Sequence, residues 1–206
     1  METDLFWYAD TALRPLPLPG GEVFYASHFD LGQDPLILMR QLIDEVPWRT
    51  ENVVVWGKSY PQPRLIAWYG DEGRSYQYSG VRLNPLAWTE PLLLVKRKAE
   101  HTAGVEFNSV LLNYYRDNRD SMGFHSDDEK ELGEQPIIAS ISLGQERIFV
   151  LKSKRDKVAK PVKLRLESGS LLLMKGDTQT NWKHGIEKEK RPCGPRVNLT
   201  FRRIIQ

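Results

Sequence analysis

Beyond Gly104 the chain runs strand after strand with no long helical pattern between them, and this order limits the fold more than any other feature. The strand candidates are Phe107–Tyr115, Ile137–Leu143, Arg147–Lys152, Val162–Glu167, Ser170–Met174 and Arg196–Ile204, separated by turn-forming residues. Parallel strands need long crossovers, usually helical, so such a series closes instead into a β-sandwich or jelly roll. The preceding residues differ in character. Leu36, Ile37, Leu42, Ile43 and Val46 recur at helical spacing within Asp34–Val46. A second helix is expected from Thr89 to about Ala103, with Thr89 as N-cap and Pro91 in the first turn. Between them Asn52–Trp56, a turn over Gly57–Pro63, and Arg64–Tyr69 form a hairpin, and LRPLPLPGGE is an extended, proline-rich lead-in. The expected fold class is mostly β with flanking helices (α+β). A single domain spans 1–206, with helices and hairpin in 1–105 and the jelly-roll core in 106–206.

A chain of 206 residues suffices for one sizeable core, and 40% hydrophobic with 27% charged residues is ordinary for a globular protein. The single cysteine, Cys193, excludes an internal disulfide framework and suits a reducing compartment. No apolar run approaches the roughly 18 residues of a membrane span, and METDLFWYAD lacks a basic flank before an apolar stretch. A monomer that is neither secreted nor membrane-bound is expected, cytoplasmic in a prokaryote or nuclear in a eukaryote. The net charge of +2 is too small to indicate nucleic acid, but its distribution is uneven. Lys152, Lys154, Arg155, Lys157, Lys160, Lys163 and Arg165 are opposed only by Asp156. Such a run attracts phosphate and releases counterions, although a solvated loop has the same composition.

His125 and Asp127 are two residues apart, so in an extended segment both project to one side and could grip one cation. His184, followed by Gly185, supplies a third donor. Two histidines and a carboxylate form a facial triad with open positions, which favours non-haem iron(II), though zinc accepts the same ligands. A lone His-x-Asp is commonly a surface loop or a capping pair, and the last strand is what strengthens it. There Arg196, Asn198, Thr200 and Arg202 alternate onto one face, and Val197, Leu199 and Phe201 onto the other. Asn113 and Tyr115 make a second polar pair within an apolar strand. Two such faces can line a cavity for a small dianion, because the planar arginine fork matches a carboxylate.

The ordered set Asn113-x-Tyr115, His125-x-Asp127, His184 and Arg196-x-Asn198-x3-Arg202 resembles the AlkB family of Fe(II)/2-oxoglutarate-dependent dioxygenases. The likeness runs from about Val53 onward and looks closest, across Pro195–Ile204, to animal homologues acting on duplex DNA. It implies a double-stranded β-helix with N-terminal helices and a nucleotide-recognition hairpin. His125, Asp127 and His184 would hold iron, and Asn113, Tyr115, Arg196, Asn198, Thr200 and Arg202 would surround 2-oxoglutarate. Within that set Arg196 takes the distant carboxylate and Arg202 lies near the chelating end. With O2 as second cosubstrate, the implied reaction is oxidative demethylation of 1-methyladenine or 3-methylcytosine in DNA, releasing formaldehyde, succinate and carbon dioxide.

For the substrate, Tyr76, Gln77 and Tyr78 resemble a nucleotide-recognition lid that would stack an extruded base against His125. Asp128 and Glu129 would favour the cationic methylated base. Trp56, with Gly57 and Lys58, matches the hairpin where duplex-acting relatives carry an aromatic wedge, commonly phenylalanine, and Arg64 the residue steadying the orphaned partner base. The expected partner is therefore alkylated DNA, duplex or single-stranded, with no membrane. An RNA or protein oxygenase on the same core remains the alternative. A non-catalytic jelly-roll binding module would not need Arg196 and Arg202 to converge.

Overall fold

The structure, a computed structural model, describes residues 12–55, 58–73, 76–78, 81–83 and 85–205. The first half carries strands β1 (Arg14–Leu16) and β2 (Glu22–Ala26), helix α1 (Pro35–Glu45), β3 (Asn52–Val55) and β4 (Lys58–Pro61). β5 (Leu65–Gly70), β6 (Tyr76–Tyr78), β7 (Val81–Leu83) and helix α2 (Glu90–Ala103) complete it. The second half is β8 (Ser109–Tyr115), β9 (Met122–His125), β10 (Ile138–Gly144), β11 (Arg147–Ser153) and β12 (Val162–Leu166). β13 (Ser170–Lys175), a one-turn helix α3 (Thr178–Asn181), β14 (Trp182–Ile186) and β15 (Arg196–Arg202) follow. Among the described residues no helix is long and apolar enough to cross a membrane.

Two antiparallel sheets make the jelly roll. The larger has seven strands in the order β1-β2-β13-β10-β15-β8-β5, and the smaller four in the order β12-β11-β14-β9. The period-2 alternation of the large sheet decides what each face meets. Ala67, Leu112, Ile141, Leu173, Val197, Leu199 and Phe201 point to one side, where Leu38, Leu42, Leu92, Val95 and Ala99 of the two helices cover them. Ile66, Trp68, Leu111, Ile138, Leu172 and Met174 point to the other, against Phe149, Leu151, Leu166, Trp182 and Ile186 of the smaller sheet or its flanks. The interior strand β15 is thus buried on both faces, and all seven of its residues are buried. Its polar face cannot be a wet edge.

The helices end where their sequence tells them to. Asp34 accepts from the backbone N–H of Leu36 (2.9 Å) and Ile37 (3.0 Å), and Pro35 opens the first turn of α1, where its missing N–H costs nothing. Gly104 closes α2 at φ +70°, a left-handed conformation, while its N–H returns to Glu100 O at 2.8 Å. Leu36 and Ile37 are exposed rather than part of the buried stripe, which is Leu38, Met39, Leu42 and Val46. At roughly 100° per residue they lie well round the helix from that stripe.

The hairpin also differs from expectation. β3 pairs with β4, Asn52 opposite Pro61 and Val55 opposite Lys58. β5, expected as its return strand, instead pairs with β8 in the large sheet, Ile66 opposite Asn113. Its run Leu65-Ile66-Ala67-Trp68-Tyr69 is apolar enough to be buried on both faces, whereas all four residues of β4 are exposed.

Candidate metal and cosubstrate site

Short strands that propensity does not favour deliver the metal-type side chains. β9 ends on His125 and β14 carries His184 directly opposite it. Asp127 lies two residues past β9, buried, its backbone N–H donating to Gln179 Oε1 of α3 at 3.0 Å. His125 Nε2 is 3.8 Å from Asp127 Oδ1 and His184 Nε2 is 3.7 Å from Asp127 Oδ2. One donor atom from each residue lies within 4.8 Å of the others, a spacing one cation can bridge.

The electrostatics suit a cation as well. His125 Nδ1 is 3.0 Å from Gly123 O, which can only accept, so the proton sits there and Nε2 keeps its lone pair. Burial pushes the His184 imidazole down to about 3, with His125 adding to the effect and Asp127 opposing it. Neutral imidazole is the ligating form. For Asp127, burial acts to raise the pKa, but Arg202, His184 and His125 outweigh it and hold the carboxyl well below the usual range. Arg202 Nη2 donates to Asp127 Oδ1 at 2.7 Å, whereas the buried Oδ2 has no hydrogen-bond partner. An anionic oxygen without a donor is expensive to bury, and a metal ion satisfies it.

The second half of the site is a guanidinium lacking an acid. Arg196 is 1% exposed, and among the described residues no carboxylate lies within ion-pairing distance of it. Its Nη2 donates to Ser142 Oγ at 2.9 Å and the Tyr115 ring lies 5.0 Å away, but Nε and Nη1 are buried with no hydrogen-bond partner. Burial pushes its pKa down. Asn198 spends its amide N–H groups on Ser140 Oγ (2.9 Å) and Ile141 O (2.8 Å), and its Oδ1 accepts from Thr200 (3.0 Å). One cavity between the sheets is lined by His125, Asp127 and His184 and by all the residues assigned to 2-oxoglutarate, with Met122, Phe149, Leu166, Met174 and Ile186 as apolar wall.

The residues assigned to the substrate scatter more widely. Lys58 is exposed on β4, and Tyr76, Gln77 and Tyr78 form β6, paired with β7. Trp56 and Gly57 lie outside the described residues. Asp128 is exposed and already paired, 3.0 Å from Lys154 Nζ, which bends one end of the basic run back to the metal site. Glu129 keeps a buried Oε2 without a hydrogen-bond partner. Arg64 is buried rather than on the surface: it is 4% exposed, and its Nε donates to Asn113 Oδ1 at 2.7 Å. Ser140, Ser142 and Gln179 were not foreseen, although the alternation Ile138-Ala139-Ser140-Ile141-Ser142 marks the serines as a polar face of an apolar strand.

A jelly roll that confronts an N,N,O donor set with a buried, acid-seeking arginine is the architecture of a non-haem metal enzyme using an organic acid. Residues 33–202 match the 2OG-Fe(II) oxygenase superfamily. The chain is 41% identical over 177 residues to the DNA oxidative demethylase ALKBH2 of Mus musculus, covering 82% of this chain and 74% of that protein. It is 40% identical over 188 residues to the alpha-ketoglutarate-dependent dioxygenase alkB homolog 3 of Mus musculus, covering 87% of this chain but only 65% of that protein. The chain thus spans less than two thirds of this second relative. The solved structure of OsALKBH1 superposes with a TM-score of 0.64 at 18% identity, over 93% of this chain and 100% of that one, and is similar in fold. This chain belongs to the AlkB family of the 2OG-Fe(II) oxygenase superfamily. The family's iron(II), 2-oxoglutarate and dioxygen fit what is present: an orphaned carboxylate oxygen at Asp127 and an orphaned guanidinium at Arg196.

Proposed function

We propose that this chain is an oxidative demethylase acting on DNA bases alkylated at a ring nitrogen. The observation that carries the proposal is the shared cavity, in which the triad and the acid-seeking Arg196 face one another between the sheets. The relatives whose names record dioxygenase or DNA demethylase activity support it. When bound, iron(II), 2-oxoglutarate and dioxygen supply an oxidation that hydroxylates the N-methyl group, leaving succinate and carbon dioxide and an adduct that sheds formaldehyde.

The chain's own residues bind, orient and exclude water. His125, Asp127 and His184 hold the metal, and Arg202 fixes the Asp127 carboxylate so that Oδ2 is presented to it. Arg196 takes the distant carboxylate of 2-oxoglutarate through the two nitrogens left open, while Tyr115 and Ser142 set its plane. Asn198 and Thr200 shape the floor between the arginines. Phe149, stacked on His184 at 5.1 Å, and the other apolar wall residues keep bulk water from the metal. The buried Glu129 oxygen favours a base that methylation has made cationic, because the parent base offers it no charge. Asp128 joins in only by exchanging Lys154 for the base.

Duplex DNA is the proposed form of the substrate. The β3–β4 hairpin stands apart from both large sheets, with β4 exposed, as a probe of a duplex must be. Trp56 follows β3 directly in sequence, and an aromatic ring there would fill the gap left by a flipped base. Trp56→Ala should lower formaldehyde release from a 1-methyladenine duplex by at least about tenfold while changing the matched single strand by no more than about threefold. Equal losses on both, or a large fall in melting temperature, would assign Trp56 to the core. Release from methylated RNA with none from either DNA would overturn the DNA assignment.

A further inference from the structure

Arg64 is a buried charge that the mechanism above does not use. It stands between the exposed hairpin strand β4 and the buried β5, and it is itself buried. Its Nε donates to Asn113 Oδ1 at 2.7 Å, and its Nη1 makes a longer contact of 3.5 Å with Ser121 O. Asn113 is 2% exposed, on β8 beside the edge strand β5, registered between Ile66 of β5 and Asn198 of β15. It lines the same cavity as Arg196 and the triad.

The direction of that hydrogen bond has a chemical consequence. An asparagine amide can present either its oxygen or its NH2 group to a cavity, and the two ends have almost the same shape. A guanidinium can only donate, so the end of Asn113 facing Arg64 must be the oxygen. The NH2 end is then directed elsewhere, and among the described residues Nδ2 makes no hydrogen bond within the chain. A dianion needs donors; an amide flipped the other way would set its oxygen against a carboxylate.

We propose that Arg64 is a positioning residue for the cosubstrate, locking the Asn113 amide so that its N–H groups face 2-oxoglutarate. The inference rests on the assignment of this cavity to 2-oxoglutarate. Arg64 does not line the cavity and acts through Asn113, which does.

The test is a double-mutant cycle of Arg64→Met and Asn113→Ala, read by calorimetric titration of 2-oxoglutarate into the manganese(II)-loaded protein, where no turnover occurs. Arg64→Met should weaken binding about tenfold, as loss of one hydrogen bond to a charged ligand does. KM for 2-oxoglutarate should rise in step while kcat changes less than about threefold. In the Asn113→Ala background the Arg64→Met change should add less than about twofold, because the amide it locks is gone. Asn113→Asp, which keeps its bond to Arg64 but offers no N–H, should bind at least as weakly as Arg64→Met. Unchanged affinity in Arg64→Met, additive losses in the double variant, or full affinity in Asn113→Asp would each overturn the proposal. If Arg64→Met does not fold, the Asn113→Asp result decides. A parent protein that binds no 2-oxoglutarate refutes the cavity assignment itself, a result distinct from any of these.

Discussion

Replacing His184 by alanine is expected to abolish succinate formation, a loss well beyond about a hundredfold. Groups that merely orient a metal ligand already contribute 10–100-fold, and His184 is read as a ligand itself. The residue faces His125 across paired strands, so its removal leaves Asp127 Oδ2 with no imidazole opposite and the open positions misplaced. Because the His184 ring also stacks on Phe149, melting temperature must be followed in parallel, with His184→Gln as the better-packed control. Folded His184→Gln with near-parental turnover would remove His184 from the metal.

The second large effect belongs to Arg196. Arg196→Ala should weaken 2-oxoglutarate binding at least a hundredfold, since deleting one partner of a buried charge pair commonly costs about 3–5 kcal/mol. Arg196→Lys should recover little of this, because a point charge does not reproduce the fork. A structural arginine and a ligand-seeking one are told apart by stability without ligand. Arg196 is buried with two nitrogens unsatisfied, so Arg196→Met should melt no lower than the parent in the absence of 2-oxoglutarate. Adding 2-oxoglutarate should then raise the melting temperature of the parent and leave the variant unmoved. An Arg196→Ala protein that binds as tightly as the parent would leave this guanidinium without a role.

The two polar faces that meet at the cavity were legible because strand alternation is local: Arg196, Asn198, Thr200 and Arg202 share a face whatever surrounds them. Local pattern could not say whether that face was wet; the burial of β15 on both sides answers it. The strands that carry the histidines were missed. Met122-Gly123-Phe124-His125 and Trp182-Lys183-His184-Gly185-Ile186 are short, contain glycine and mix polar with apolar residues, so propensity does not mark them. They pair because their neighbours in the small sheet hold them, and Gly185 has no side chain because Met122 O would stand 2.9 Å from its Cβ. The burial of Arg64 is not legible for a related reason. A charged residue after Gln62-Pro63 reads as surface, and its burial depends on Asn113, a partner 49 positions away that no local pattern can supply. In α1 the helical spacing that includes Leu36 and Ile37 is too permissive, since the face that meets the sheet is Leu38, Met39 and Leu42 and leaves those two exposed.

On the proposed function, one cavity between the sheets couples 2-oxoglutarate oxidation to removal of a methyl group from a base. The most direct measurement is to count both products from the parent protein loaded with iron(II), on an oligonucleotide carrying a single 1-methyladenine. Formaldehyde and succinate should appear one to one, and both should vanish when iron or 2-oxoglutarate is withheld. Succinate released with no formaldehyde from the adenine lesion or its 3-methylcytosine counterpart would contradict the account.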